Sequence, residues 1–221
     1  MNQKKSKFLN NMEILAISSS RAMESAQDVL KKGGLVIVPT DTVYGIIGDA
    51  RNPQVITKIF RAKKRSKTQA LGIFVADQAT LEEYVEIPAV YKESLFKCWP
   101  GPLTGVFHSK GVLPKILEGG TGNIGIRIPR SPFIIELIQE LHAPLVQTSA
   151  NISGRGSYTK SQDVREDFKG SSLIELFIDG GDLPDTIPST GVDFTRVPPR
   201  IFREGPLSKE KLEDIFNLKF Q

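Results

Sequence analysis

The sequence has few of the residues that hold cofactors or cross membranes. Its 221 residues include one cysteine and two histidines. Cys98 by itself forms neither an intrachain disulfide nor a cysteine metal site, which agrees with a reducing compartment. The longest aliphatic run, residues 35–38, is far shorter than the roughly 20 residues of a membrane-spanning helix. Residues 1–11 also lack the apolar core of a secretory signal. We therefore predict a cytoplasmic protein without a membrane segment.

Acidic residues are absent from one long stretch of the chain. Residues 51–76 contain no aspartate or glutamate, and they hold seven basic residues: Arg51, Lys58, Arg61, Lys63, Lys64, Arg65 and Lys67. Since the whole chain has a net charge of +4, the remainder has a net charge of −3. This concentration of positive charge indicates an anionic ligand, either nucleotide phosphates or an RNA backbone. A solvated basic helix face is the alternative interpretation.

Several catalytic and cofactor motifs are missing. There is no Walker-type phosphate loop and no G-x-S-x-G nucleophile motif. Residues 120–125 match G-x-G-x-x-G, but a dinucleotide-binding loop must follow a strand and open a helix. Here a helical segment precedes the glycines and a strand follows them, so we reject that interpretation. His108 and His142 have no partners at metal-ligand spacing, and we predict no metal site built from side chains.

The apolar pattern predicts an α/β fold with one domain over residues 13–221, preceded by a flexible tail, residues 1–12. Helices are predicted between the serines at 18–20, which offer N-cap hydroxyls, and the glycines at 33–34, from Pro53 to the basic cluster, at 89–98, 132–141 and 162–168, and after Ser208. Strands are predicted at 35–38, 71–76, 103–107, 124–128, 145–148, 173–178, 191–195 and 200–202. The close spacing of the last strands favours a mixed sheet, because antiparallel neighbours need only short connections.

Two polar loops follow predicted strands. Residues 39–45 read Pro-Thr-Asp-Thr-Val-Tyr-Gly, and residues 149–154 read Ser-Ala-Asn-Ile-Ser-Gly. Open α/β sheets bind ligands beyond the carboxyl ends of their strands, so we expect these two loops to share one crevice. The first loop also fits an ordinary turn rich in threonine and glycine.

These segments carry a resemblance to a known family. The chain resembles the YrdC-like threonylcarbamoyl-AMP synthases in their single-domain form, through eight segments in the family's order that span nearly the whole chain. The matching segments are residues 39–45, 63–65, 99–104, 124–127, 149–154, 179–181, 189–190 and 202–205.

The resemblance implies a twisted mixed sheet, flanked by helices, with a positively charged concave face. It also implies an enzyme that joins L-threonine, bicarbonate and ATP into threonylcarbamoyl-AMP and releases pyrophosphate, the first step of N6-threonylcarbamoyladenosine formation in tRNA. ATP is then a substrate, and Mg²⁺ is bound mainly through its phosphates. A downstream threonylcarbamoyl-transfer complex and a weak contact with tRNA or RNA are the implied macromolecular partners.

Site residues follow from the resemblance position by position. The residues expected to bind phosphate and the carbamate or bicarbonate group are Lys63 and Arg65. Those expected near threonine are Thr40, Tyr44, Arg127 and Ser189. Those expected to line the nucleotide site, together with Lys63, are Asn123, Ser149, Asn151, Ser157 and Arg203. The alternative function is an RNA-binding or ribosome-associated module of the same fold without synthase activity.

Overall fold

The computed structural model describes residues 12–221, in which eleven strands form one sheet. The strands are β1 (Glu13–Ala16), β2 (Val36–Val38), β3 (Gly45–Asp49), β4 (Gly72–Phe74), β5 (Val85–Glu86), β6 (Leu103–Ser109), β7 (Asn123–Arg127), β8 (Leu145–Ser149), β9 (Leu176–Asp179), β10 (Thr190–Asp193) and β11 (Arg200–Arg203). Their spatial order is β1-β9-β2-β3-β8-β4-β7-β6-β10-β11, with β5 paired to β6 outside this path. The predicted tail, residues 1–12, lies outside the described residues except for Met12.

The sheet is mixed, as the short final connections predicted. Strand β9 runs parallel to β1 and β2, β4 is parallel to β7, and β6 is parallel to β10. The remaining pairs are antiparallel, including the terminal pair β10 and β11. The predicted α/β class is confirmed.

Helices pack on the sheet and bury its apolar side chains. They are α1 (Ala22–Lys31), α2 (Pro53–Ala62), α3 (Gln78–Tyr84), α4 (Ala89–Cys98), α5 (Pro132–Leu141), α6 (Ser161–Phe168) and α7 (Lys209–Phe216). One core cluster involves α1 and α5, and the other involves α2, α3, α4, α6 and α7. Cys98 is buried in the second cluster, and burial raises the pKa of its thiol to about 11. Within residues 12–221, no helix is long and apolar enough to cross a membrane.

Helix α2 shows how local sequence sets an element that carries the site. The Asn52 side chain accepts hydrogen bonds from the backbone N–H groups of Gln54 and Val55, which satisfies two free donors of the first turn. Pro53 occupies the first helical position, where its missing N–H costs nothing. The helix ends at Ala62, and Lys63 follows it at the C-cap position.

Four elements, β1, β3, β5 and α3, were not predicted, and one predicted cap is wrong. Strand β3 begins at the last residue of the predicted ligand loop, residues 39–45, and continues beyond it. Two of its five residues are glycines. Strands β1 and β5 and helix α3 lie in short segments without a clear apolar period. Helix α1 has Arg21 at its N-cap position and no side-chain cap, because Ser19 Oγ accepts a hydrogen bond from the backbone of Arg21, before the helix begins.

Candidate active site

A cavity of about 590 Å³ opens on one face of the sheet. Its floor uses the two-residue period of the strands, since Asn123, Gly125 and Arg127 alternate along β7 and all line it. Thr104 and Val106 on the neighbouring β6 line it in the same way. At Gly125 a Cβ atom would meet only ordinary van der Waals contacts, the nearest at 3.5 Å. The two predicted ligand loops both reach this cavity, which agrees with the expected shared crevice.

Nine of the eleven residues expected at the site line the cavity. They are Thr40, Tyr44, Arg65, Asn123, Arg127, Ser149, Ser157, Ser189 and Arg203. The other two, Lys63 and Asn151, do not line it and are both buried.

Lys63 lies beneath the loop that follows β8. Its Nζ donates to the backbone oxygens of Ser149 at 2.5 Å and Asn151 at 2.8 Å, and to Asn151 Oδ1 at 3.2 Å. The backbone is tied as well, because the Ser153 N–H donates to Lys63 O at 2.9 Å. In the structure this ammonium contacts protein oxygens, and its expected contact with phosphate stays a prediction.

Burial makes the charge of Lys63 costly. Loss of solvent, and then repulsion from Arg65, lower the pKa of Lys63 to about 7, while Asp167 acts in the opposite direction. Three protein oxygens within hydrogen-bond distance match the three donors of an ammonium group. The geometry offsets part of this cost, and we assign Lys63 as protonated below neutral pH.

Arg127 reaches the cavity from β7 with its guanidinium held on three sides. Its Nη2 forms an ion pair with Asp41 at 2.6 Å, its Nη1 donates to Thr42 Oγ1 at 3.1 Å, and its Nε donates to Gly101 O at 2.9 Å. The side chains of Arg127 and Asp41 are only 4% and 12% exposed. Burial lowers the pKa of Arg127, and the nearby Asp41 carboxylate opposes that shift. Each terminal nitrogen still has a second N–H beyond these bonds.

Arg203 and Ser189 join the expected nucleotide and threonine sites. The Nε of Arg203 donates to Ser189 O at 2.8 Å, and its Nη2 donates to Ser189 Oγ at 2.9 Å. Ser189 Oγ also lies 2.7 Å from Thr104 Oγ1 on the cavity floor. Ser189, which is expected near threonine, therefore fixes the orientation of Arg203, which is expected at ATP.

Thr40 and Tyr44 have structural contacts besides their place in the cavity wall. Thr40 Oγ1 donates to Val43 O at 2.7 Å and accepts from the Thr42 N–H at 3.0 Å, which is the ordinary turn that the sequence also allowed. Tyr44 is fully buried, and its hydroxyl donates to Gly181 O at 2.5 Å. Burial raises the pKa of Tyr44 to about 12. Tyr44 thus shapes the wall as a neutral phenol.

The basic stretch contributes less to the cavity than its charge predicted. Of its seven basic residues only Arg65 lines the cavity. Arg51 pairs with Asp49, Lys58 pairs with Glu175, and both pairs lie outside the cavity lining. Most of this stretch is thus a solvated or ion-paired surface, which was the alternative interpretation.

Sequence reasoning missed the basic residues at the far end of the cavity. Arg196 and Arg200 lie on the β10–β11 hairpin and line the cavity, and no motif marks them. Five arginines and one carboxylate, Asp193, are thereby among its lining residues. Only the antiparallel pairing of β10 with β11, with Asp193 opposite Arg200, directs them there.

Comparison with known proteins supports the resemblance. The Sua5/YciO/YrdC family model, described as telomere recombination, matches residues 28–205. A threonylcarbamoyl-AMP synthase of Pyrococcus abyssi is 37% identical over 86% of this chain, which spans only 56% of that protein. A putative threonylcarbamoyl-AMP synthase of Mycobacterium tuberculosis is 32% identical over 90% of this chain and 91% of its own length.

A solved structure gives the same result in three dimensions. The P. abyssi Sua5 crystal structure with L-threonine superposes with a TM-score of 0.87 at 33% identity, over 96% of this chain and 62% of that one. The family model covers far more than half of the chain, and the fold agrees along nearly all of it. The chain therefore belongs to the Sua5/YciO/YrdC family.

Proposed function

We propose that this protein makes threonylcarbamoyl-AMP from L-threonine, bicarbonate and ATP, with release of pyrophosphate, as the first step of N6-threonylcarbamoyladenosine formation in tRNA. The observation that carries the proposal is that nine expected substrate-binding residues line one cavity. The lining of this cavity includes five arginines in all, three of them among the nine. Relatives that carry the name of this synthase match over most of the chain and add support. The product would pass to a separate threonylcarbamoyl-transfer complex that acts on tRNA.

The chemistry needs positioning and charge neutralisation. The amine of threonine and bicarbonate give a carbamate and water. A carbamate oxygen then attacks the α-phosphorus of ATP, the bond to the β-phosphate oxygen breaks, and pyrophosphate leaves with the electron pair. Both partners of the second step are anions, so a cavity rich in fixed guanidinium groups lowers the barrier by offsetting their repulsion. The reaction requires no covalent nucleophile on the protein.

Named residues have distinct tasks in this proposal. Arg127 binds the threonine carboxylate through the N–H groups that Asp41 and Thr42 leave free. Arg65 and Arg203 bind phosphate oxygens near the reacting carbamate. Lys63 contributes by holding the loop that carries Ser149 and Asn151, as well as by its positive charge beneath the nucleotide.

Magnesium arrives with its substrate in this proposal. Asp193, the one carboxylate among the lining residues, accepts hydrogen bonds from Thr195 and pairs with Arg196 at 3.0 Å. Within residues 12–221 there is no group of three or more metal-ligating side chains. These residues fit a metal that is bound mainly by ATP phosphates, where it supplies charge neutralisation.

The test is incubation of the full chain with L-threonine, bicarbonate, ATP and Mg²⁺, followed by mass detection of the adenylate and measurement of pyrophosphate. We expect pyrophosphate release that requires both threonine and bicarbonate. L-Serine should be a poorer substrate, since loss of one methyl group from a fitted pocket costs about 1 kcal/mol. Release that does not change when threonine is omitted would overturn the proposal.

A further inference from the structure

Asp167 binds one loop through three separate contacts. Its side chain is only 2% exposed and lies on α6, outside every segment of the family resemblance. Its Oδ2 accepts from the Ile152 N–H at 3.0 Å and from the Tyr158 hydroxyl at 3.1 Å. Its Oδ1 forms an ion pair with Arg155. All three donors belong to the 149–158 loop, which follows β8.

The same loop is bound from its other side by Lys63. The ammonium group binds the oxygens of Ser149 and Asn151 at the start of the loop, and Asp167 binds donors in its middle and at its end. The loop is therefore fixed between a buried cation and a buried anion. Its exposed edge presents Ser149 and Ser157 to the cavity.

We propose that Asp167 is a positioning residue for the nucleotide, acting through the 149–158 loop. The inference rests on the proposed function only for the identity of the nucleotide as ATP. Asp167 is not among the residues that line the cavity, so it has no substrate contact of its own. Loss of its charge should loosen the loop and weaken nucleotide binding, while the threonine side of the cavity, built around Arg127, stays unchanged.

The charge of Asp167 also affects the pKa of Lys63, which a purely structural contact would not do. The charged or titratable groups near Asp167 are Arg155 and Tyr158 on the loop and Lys63 beneath it, and Lys63 also faces Arg65. Burial and Arg65 lower the pKa of Lys63, and among these groups Asp167 is the one whose negative charge raises it. Neutralising Asp167 should lower the pH at which Lys63 loses its proton.

The experiment compares Asp167→Asn with Asp163→Asn, an exposed aspartate on the same helix. Calorimetry should show at least fivefold weaker ATP binding for Asp167→Asn and no change for Asp163→Asn. In turnover, the KM for ATP should rise by the same factor and the KM for threonine by less than twofold. The pH midpoint of kcat/KM for ATP should move to lower pH. A lower melting temperature with unchanged ATP affinity and an unchanged pH profile would overturn the proposal.

A second variant covers the case in which Asp167→Asn does not fold. Tyr158→Phe removes one of the three contacts and leaves the carboxylate in place, so we expect a two- to fivefold loss of ATP affinity in a folded protein. Unchanged affinity in this variant would then overturn the proposal. Binding and turnover separate the two hypotheses: weakened ATP binding without any adenylate from the wild-type chain would refute the proposed function and retain the role of Asp167.

Discussion

Lys63 Nζ lies 2.8 Å from the backbone oxygen of Asn151 and 3.2 Å from its side-chain oxygen, so two residues expected at the nucleotide bind each other beneath it. Asn151 in turn donates through Nδ2 to Ile152 O and Arg155 O, which closes the loop on itself. We therefore expect Lys63 to affect nucleotide binding through the shape of this loop.

Lys63→Met should impair nucleotide binding far more than Lys64→Met, its exposed neighbour. Methionine fills a similar volume but leaves the buried oxygens of Ser149 and Asn151 without their donor, at a cost of about 1–3 kcal/mol. We expect a raised KM for ATP and a lower kcat for Lys63→Met. Pyrophosphate release at varied ATP measures both constants, and equal effects of the two variants would contradict the assignment.

The pH dependence of kcat/KM for ATP should report Lys63. With its pKa lowered to about 7, the free protein loses this ammonium as pH rises through neutrality, and the neutral amine keeps only two donors. We therefore expect kcat/KM for ATP to fall above about pH 7. The kcat should be less sensitive, because bound phosphates stabilise the charged form.

Stability should change in the opposite direction over the same pH range. The folded chain releases the Lys63 proton at lower pH than the unfolded chain, so the unfolded state binds more protons between about pH 7 and 10. Burial of the charge is therefore a cost below pH 7 that is relieved as pH rises. The difference in unfolding free energy between wild type and Lys63→Met, followed by denaturant titration, should carry this slope, and a flat difference would contradict it.

Arg65→Ala should reduce activity strongly, whereas Arg61→Ala on the exposed face of α2 should not. Arg65 is the only basic residue of the 51–67 stretch that lines the cavity. Removal of a fixed cation next to developing charge costs on the order of 2–4 kcal/mol of transition-state stabilisation. Steady-state kinetics of both variants measure this difference. Near-normal turnover by Arg65→Ala would contradict the prediction and indicate that the basic residues at 51–67 serve only as solvated surface.

Arg127→Lys should raise the KM for threonine much more than the KM for ATP. Lysine keeps the charge but loses the fork that binds Asp41, Thr42 and Gly101 at once. Asp41→Asn should also lower stability by about 3–5 kcal/mol, because it leaves a buried cation without its partner. Kinetics at varied threonine and thermal unfolding measure the two effects. Arg130→Lys, at an exposed arginine, is the control.

Any RNA binding should compete with ATP and weaken steeply with salt. The cavity arginines serve one phosphate chain at a time, and release of counterions makes backbone binding salt-dependent. Titration of a labelled tRNA at two salt concentrations, with and without ATP, measures this. Tight, salt-resistant binding that ATP does not displace would favour the RNA-binding alternative.

Much of the fold and the family could be predicted from sequence because those signals are local or ordered along the chain. Helices α4 and α5 begin and end at the predicted residues, since apolar spacing and flanking prolines act within a few positions. Gly120 and Gly122 precede β7 and Gly125 lies within it, so a strand and not a helix follows the first glycines, as predicted. Strand β3 was not predicted, because its sequence contains two glycines, which weaken a strand. Its extended conformation is stabilised by pairing with β2 on one side and β8 on the other.

The sequence by itself determined which residue types the cavity could use, and the tertiary structure decided which of them reach it. Lys63 and Arg65 are only two residues apart in the sequence, just after the end of α2. In the fold, Lys63 is buried beneath the 149–158 loop, whereas Arg65 lines the cavity. Arg196 and Arg200 carry no local signal and reach the cavity only through the pairing of β10 with β11. Spacing along a chain does not encode these outcomes, because burial and charge pairing depend on segments more than 80 residues apart, such as Lys63 with Asn151 and Arg127 with Asp41.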